Sequence, residues 1–286
     1  MTPAASGPAS AAREPAPRAR TAPQAAAPRG AVVPAGALAF QPRDGCSVAT
    51  AVGPHLGARI VRLDVVRVPA GAHWHPADSA AEENVVVVFG GSGTAGSGNA
   101  AQRVRRADTV YAPTGDTYAL RADAAGPLTV YVWRTVLRPG RAPGAAPRRF
   151  SRLWNGETQL RGFTGTVEGA ARQKTATMNF LFWPGTGSPQ LCLHCGVMAP
   201  GEYFNVHVHP ESEEAFIAFE GEGQLHLDGQ WYDARPGDVL YAPPGVPHGT
   251  RHPAGDPSAP RFATCGGPTP FDPVLYDRAG VPTKVR

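Results

Sequence analysis

The sequence is poor in charged residues, which make up 17% of its 286 positions, and it contains four cysteines. It also lacks any run of about 18 apolar residues, the length that a membrane-spanning helix needs. Few charged helical faces, together with 34 glycines and 31 prolines, indicate a β-rich protein. With no continuous apolar segment of the secretory type near its start, the chain is expected to be cytoplasmic, with reduced thiols and no membrane partner.

Positive charge is concentrated at the N-terminus. The net charge is +4, and residues 1–40 hold four arginines against one glutamate, which leaves the remainder almost neutral. We therefore expect no nucleic-acid partner. Residues 1–40 are also rich in Ala, Pro and Arg without apolar periodicity, so we predict that they form a disordered tail.

The rest of the chain divides into three parts. Residues 41–140 and 177–286 show short apolar runs separated by turn signals, a pattern typical of antiparallel barrels. Residues 141–176 begin with a segment rich in Pro, Gly and Arg and are predicted to form a linker or a covering segment.

The two apolar parts resemble each other. The turn-rich segment 106–115 is similar to 235–245, and 68–71 is similar to 198–201, in the same order along the chain. A repeat of this length, with the same turn chemistry in both copies, indicates that one barrel was duplicated.

A cluster of histidines in the second half predicts a metal site. His207 and His209 alternate along a predicted strand, so both side chains point to the same side. Glu214 opens the next strand, and His248 follows a Pro-rich turn. Three imidazoles and one carboxylate leave open positions on an ion, which favours one Fe, Mn, Ni or Cu ion per chain over a closed structural zinc.

These residues resemble the two sequence motifs of the cupin superfamily. The first motif, G-x5-H-x-H-x4-E-x6-G, spans Gly201–Gly221, and the second, G-x5-P-x-G-x2-H, spans Gly237–His248. The resemblance implies an all-β fold of two cupin barrels, of the jelly-roll or double-stranded β-helix type, in one chain. It also implies that His207, His209, Glu214 and His248 are metal ligands. His252 stands where the family usually has Asn.

Two adjacent glutamates compete for the ligand position. The family allows either spacing after the histidines, but six residues separate Glu214 from Gly221, so Glu214 is predicted to be the ligand. Glu213 would then point to the opposite face of the strand and behave as an ordinary surface residue.

The first half carries an incomplete copy of the motif, and two alignments remain open. In one, His73, His75 and Glu83 form a second metal site. In the other, Gly71 aligns with Gly201, and the ligand positions become Ala77, Ser79 and Asn84, which leaves no site. Tyr118 stands in place of His248 in both alignments.

The resemblance implies a metal-dependent enzyme that acts on a small molecule. The first hypothesis is a dioxygenase-type oxidoreductase, with Glu214 as a catalytic residue and with Phe216, Tyr203 and His252 near the substrate. The second is an isomerase, lyase or hydrolase that uses the ion as a Lewis acid. The third is a non-catalytic binding protein. The sequence leaves the oligomeric state open, and a homo-oligomer is one of the alternatives.

Overall fold

The computed structural model describes residues 29–76, 81–160 and 175–274. These residues form two β-barrels of the same topology, which confirms the predicted all-β fold. Within the described ranges, short 3-10 turns lie at Ala35–Ala37, Pro54–Leu56, Gly98–Ala100 and Pro184–Thr186. No helix in these ranges has the length and apolar character needed to cross a membrane.

The N-terminal barrel consists of two antiparallel sheets. Its larger sheet has the strand order β12-β9-β6-β11-β4-β3-β2, and its smaller sheet has the order β5-β10-β7-β8. The strands are β2 Gln41–Arg43, β3 Cys46–Val52, β4 Arg62–Val68, β5 His73–Trp74, β6 Glu82–Gly90, β7 Ser92–Gly96, β8 Gln102–Arg105, β9 Asp108–Ala112, β10 Ala119–Ala122, β11 Leu128–Val136 and β12 Phe150–Arg152.

The C-terminal barrel repeats this arrangement. Its sheets have the orders β1-β20-β17-β22-β15-β14-β13 and β16-β21-β18-β19. The strands are β1 Ala31–Val33, β13 Gln159–Leu160, β14 Thr177–Phe182, β15 Leu193–Met198, β16 Tyr203–His207, β17 Glu213–Glu220, β18 Gly223–Leu227, β19 Gln230–Ala234, β20 Val239–Ala242, β21 His248–Arg251 and β22 Phe262–Thr269.

The barrels exchange their first strands. β1 precedes the N-terminal barrel in sequence but pairs with β20 of the C-terminal barrel, with Ala31 opposite Tyr241. In the same way, β12 precedes the C-terminal barrel but pairs with β9 of the N-terminal barrel, with Phe150 opposite Val110. Backbone hydrogen bonds therefore tie each repeat to the other, and the two barrels form one unit.

This exchange corrects two predicted boundaries. The predicted tail, 1–40, is too long, because residues 31–33 form a strand and the backbone N–H of Ala35 donates to Asp238. The predicted linker, 141–176, includes β12 and β13, which extend the two large sheets. Residues 1–28 and 161–174 lie outside the described residues.

Strands in the middle of the molecule are buried on both faces. In β6, Val85 and Val87 pack in the core between the barrels, whereas Val86 and Val88 pack inside the N-terminal barrel. β17 does the same, with Ile217 between the barrels and Phe216 inside the C-terminal barrel. Double burial explains why these strands are continuous apolar runs rather than alternating ones.

Two glutamates join the barrels from these strands. Glu213 of β17 accepts hydrogen bonds from the backbone N–H groups of residues 59–61, at 2.7–2.9 Å. Glu83 of β6 accepts from the backbone N–H groups of Gln190 and Leu191 and from the Tyr111 hydroxyl. We call this pair of buried carboxylates, Glu83 and Glu213, the clasp. The expectation that Glu213 is a surface residue is wrong, because its side chain is buried between the barrels.

We predict that Glu213→Gln lowers the free energy of unfolding by about 2 kcal/mol, since a carboxylate that accepts three buried N–H bonds is replaced by a group that must also donate. Urea unfolding measures the change. Glu211→Gln, at an exposed position two residues earlier, is the matched control. If the two variants unfold within about 0.5 kcal/mol of each other, the clasp does not contribute to stability.

Candidate metal centre

Three structural elements bring the predicted ligands together. His207 ends β16 and is the register partner of His248, which begins β21. His209 lies two residues beyond β16, where its carbonyl oxygen accepts from the N–H of Gly245 in the Pro-rich turn. Glu214 lies in β17 on the face that points into the barrel, the face that also carries Phe216.

The four side chains converge on one point. The Nε2 atoms of His248 and His209 lie 2.8 and 2.9 Å from Glu214 Oε2, and that of His207 lies 3.7 Å from the same oxygen. Their ligand atoms all lie within 4.8 Å of one another, and all four residues are buried. This cluster has the size and donor set for a single metal ion.

The second ring nitrogen of each histidine has a fixed acceptor. Nδ1 of His207 lies 2.9 Å from the Asn205 carbonyl, and Nδ1 of His248 lies 2.8 Å from the Val246 carbonyl. A carbonyl oxygen only accepts, so both histidines carry a proton on Nδ1. In their neutral forms they then direct the Nε2 lone pairs at the cluster, the orientation in which imidazole binds a metal.

Asp272 holds the third histidine. Its Oδ2 lies 2.9 Å from His209 Nδ1, and both side chains are buried. A carboxylate behind a metal-binding imidazole fixes the ring and makes the facing nitrogen more basic. Sequence reasoning missed Asp272, because 63 residues separate it from His209 and no local motif marks it.

The buried groups of the cluster shift one another's pKa values. Burial alone would raise the pKa of Glu214, but the facing histidines, His248 foremost, hold this pKa well below its usual value. Burial lowers the pKa of His207 to about 4, and the neighbouring His248 adds to this effect. For His209 burial also acts downward, but hydrogen bonds to Asp272 and Glu214 outweigh it and raise the pKa to about 9.

A cavity of about 20 Å³ lies beside Glu214 and His207 inside the barrel. Phe216 lines it. Met178, Phe204 and His194 also line it, and Nε2 of His194 lies 3.6 Å from Glu214 Oε1. The volume exceeds the ~10–15 Å³ that a single water molecule requires.

Two residues predicted near the substrate lie elsewhere. A bulge between Phe204 and His207 puts these two on the cavity side, and Tyr203 packs instead against Trp231 on the outside of the sheet. Both ring nitrogens of His252 lie within 3.1 Å of carbonyl oxygens, those of Pro253 and Pro260, so His252 is placed to hold a loop together.

The second metal site suggested by the sequence is not formed. Glu83 is buried in the clasp, whereas His73 and His75 are exposed. The structure brings no third ligand of the described residues to these histidines. In the repeat alignment, Asn84 and Tyr118 take the positions of Glu214 and His248, and Ala77 and Ser79 lie outside the described residues.

Comparison with known proteins agrees with the fold. Residues 196–259 match the family model Cupin_2, described as a cupin domain. The uncharacterized protein MJ1618 of Methanocaldococcus jannaschii is 40% identical over 43 residues, which are 15% of this chain and 34% of that protein. The match therefore spans about a third of the relative's length.

Solved structures resemble nearly the whole chain at low identity. Protein Ylba from E. coli has a TM-score of 0.64 at 16% identity and covers 89% of this chain and 94% of its own. A variant of oxalate decarboxylase from Bacillus subtilis has a TM-score of 0.63 at 12% identity, with 87% and 79% covered. Another similar structure of that enzyme has Mn(II) centers. A cupin 2 barrel protein from Leptotrichia buccalis has a TM-score of 0.53 at 12% identity, with 79% and 89% covered.

We predict that Asp272→Asn weakens metal binding about 10–100-fold, because the amide no longer supplies negative charge behind His209. The unaltered protein should hold close to one transition-metal ion per chain after purification. Competition with a chelator measures the affinity, and elemental analysis measures the content. His207→Ala should remove most of the metal, and His73→Ala is the matched control. Loss of half the metal in His73→Ala would establish a second site.

We also predict that metal binding releases about one proton per ion at pH 7. His209, with a pKa of about 9, is protonated there and must lose its Nε2 proton, whereas His207, with a pKa of about 4, is already neutral. Affinity should therefore rise about tenfold per pH unit up to about pH 9. Calorimetry in buffers of different ionisation enthalpy counts the protons. An affinity that levels off near pH 6.5 would contradict the raised pKa of His209.

Proposed function

Because the chain folds as two cupin barrels and the second matches the cupin domain, we propose that it is a metal-dependent enzyme acting on a small molecule beside Glu214. We further propose that the reaction is an oxygen-dependent oxidation of the dioxygenase type. The observation that carries the proposal is the convergence of three imidazole Nε2 atoms on Glu214 Oε2. The Nδ1 atom of each of these rings is within hydrogen-bond distance of a carbonyl or carboxylate oxygen.

His207, His209, Glu214 and His248 would hold the ion. An Fe or Mn ion in this set would supply Lewis acidity and redox chemistry at open positions. The Oε2 atom of Glu214 faces the three histidines, and its Oε1 atom faces His194 at the cavity wall. This second oxygen is placed to accept a hydrogen bond from a substrate.

The cavity supports the oxygen-dependent reaction. Met178, Phe204 and Phe216 are the large apolar side chains of its wall, and the space is about 20 Å³. Apolar cavities favour small apolar molecules over water. A chamber of this size beside the four-residue cluster suits a diatomic gas.

A second candidate is a non-oxidative lyase or hydrolase. The fold likeness to oxalate decarboxylase, an enzyme that removes a carboxyl group, supports it. His194, at the cavity wall beside Glu214, would then donate or accept the proton that such a reaction moves. The ion would act on the substrate as a Lewis acid alone.

The test measures oxygen and carbon dioxide together. The protein is loaded in turn with Fe(II), Mn(II) or Zn(II) and given a panel of small carboxylic acids and small aromatic acids in an oxygen electrode. Oxygen consumption that requires Fe or Mn, and that is lost in Glu214→Gln but kept in His73→Ala, supports the oxidation. Turnover without oxygen, with zinc also active, would establish the second candidate. Binding without any turnover would overturn the enzyme proposal.

A further inference from the structure

A pocket of about 300 Å³ lies where the two barrels meet, away from the ligand cluster. Four arginines line it: Arg59, Arg62, Arg134 and Arg138. The carboxylate among the lining residues is Glu82. Guanidinium groups gathered around one pocket form forked donors that match carboxylate and phosphate oxygens.

The floor of the pocket is charged and buried. Arg134 is 3% exposed, and its guanidinium group pairs with Asp64 at 3.3 Å and with Glu82 at 2.5 Å. Arg62 pairs with the other oxygen of Asp64 at 2.9 Å. The charges of these two arginines are therefore matched by two carboxylates, and the floor is close to neutral.

The rim carries the surplus charge. Arg59 and Arg138 are exposed, and neither guanidinium group forms an ion pair with any residue in the described ranges. Two positive charges thus face the pocket, and the Glu213 carboxylate behind Arg59 is occupied by the backbone N–H groups of residues 59–61. A small ligand with two negative charges would neutralise them.

Both rim arginines are held by the opposite repeat. The backbone N–H of Arg59 donates to Glu213 of the clasp at 2.7 Å. The backbone N–H of Arg138 donates at 3.1 Å to the side chain of buried Gln190, which in turn donates to Thr135. The backbone at each arginine is thus fixed before a ligand arrives, which reduces the entropy lost on binding.

We propose that this pocket is a binding site for a small dianion, either a dicarboxylate or a phosphate, contacted by Arg59 and Arg138 on the rim and by the guanidinium groups of the floor. The site is separate from the metal centre, so it does not rest on the proposed enzymatic function. Because the pocket lies between the barrels, its ligand would contact residues of the first barrel together with the loop that holds Gln190.

The test is titration calorimetry of the metal-loaded protein with succinate, with inorganic phosphate and with the neutral diamide of succinate. We expect succinate or phosphate to bind, the diamide not to bind, and affinity to fall as salt is raised. The anion that binds more tightly identifies the source of the ligand. Failure of both anions to bind would overturn the proposal.

Variants locate the binding. Arg59→Gln and Arg138→Gln should each weaken it about tenfold, the value of one charge-assisted contact, and the double variant should lose it. Arg121→Gln, an exposed arginine outside the pocket, is the matched control. His207→Ala should bind the anion as the unaltered protein does. Loss of binding in His207→Ala, or unchanged binding in the double variant, would show that the anion binds elsewhere.

Discussion

The double burial of β17 is the constraint on which the rest of the structure depends. Its alternate side chains pack either between the barrels, as Ile217 does, or inside the C-terminal barrel, as Phe216 does. Successive residues on a strand point to opposite faces. Glu213 therefore reaches the other barrel, and Glu214 reaches the histidines. One strand carries both the contact that joins the repeats and the carboxylate of the His–Glu cluster, so the packing between the barrels also fixes the position of Glu214.

Both repeats contribute a glutamate to the clasp, but they differ at the residue that follows it. Glu83 and Glu213 occupy matching positions and each accept backbone N–H groups of the other repeat. The next residue is Asn84 in one repeat and Glu214 in the other. In the N-terminal barrel the register partner of Asn84 is Arg134, a buried cation paired with carboxylates. Buried charges persist only when they are paired, so Asp64 and Glu82 stabilise Arg134 in this interior.

The metal cluster combines short-range and long-range support. The carbonyls that hold His207 and His248 lie two residues before each histidine, so local backbone geometry orients those rings. His209 depends instead on Asp272, from the segment that follows the last strand of the barrel. The basicity of His209 is thus set by a residue that only the closed barrel brings near.

The sequence by itself determined the all-β fold and the four residues that meet in the buried cluster. Strand alternation and motif spacing are local properties, and they sufficed to select His207, His209, Glu214 and His248. Tertiary structure decided what depends on distant partners. The role of Glu213 required the backbone of the other barrel, the orientation of His209 required Asp272, and the strand exchange placed residues 31–33 in a sheet. Hydrogen bonds between residues far apart in the chain leave no periodic pattern, because each partner is specified only by the fold.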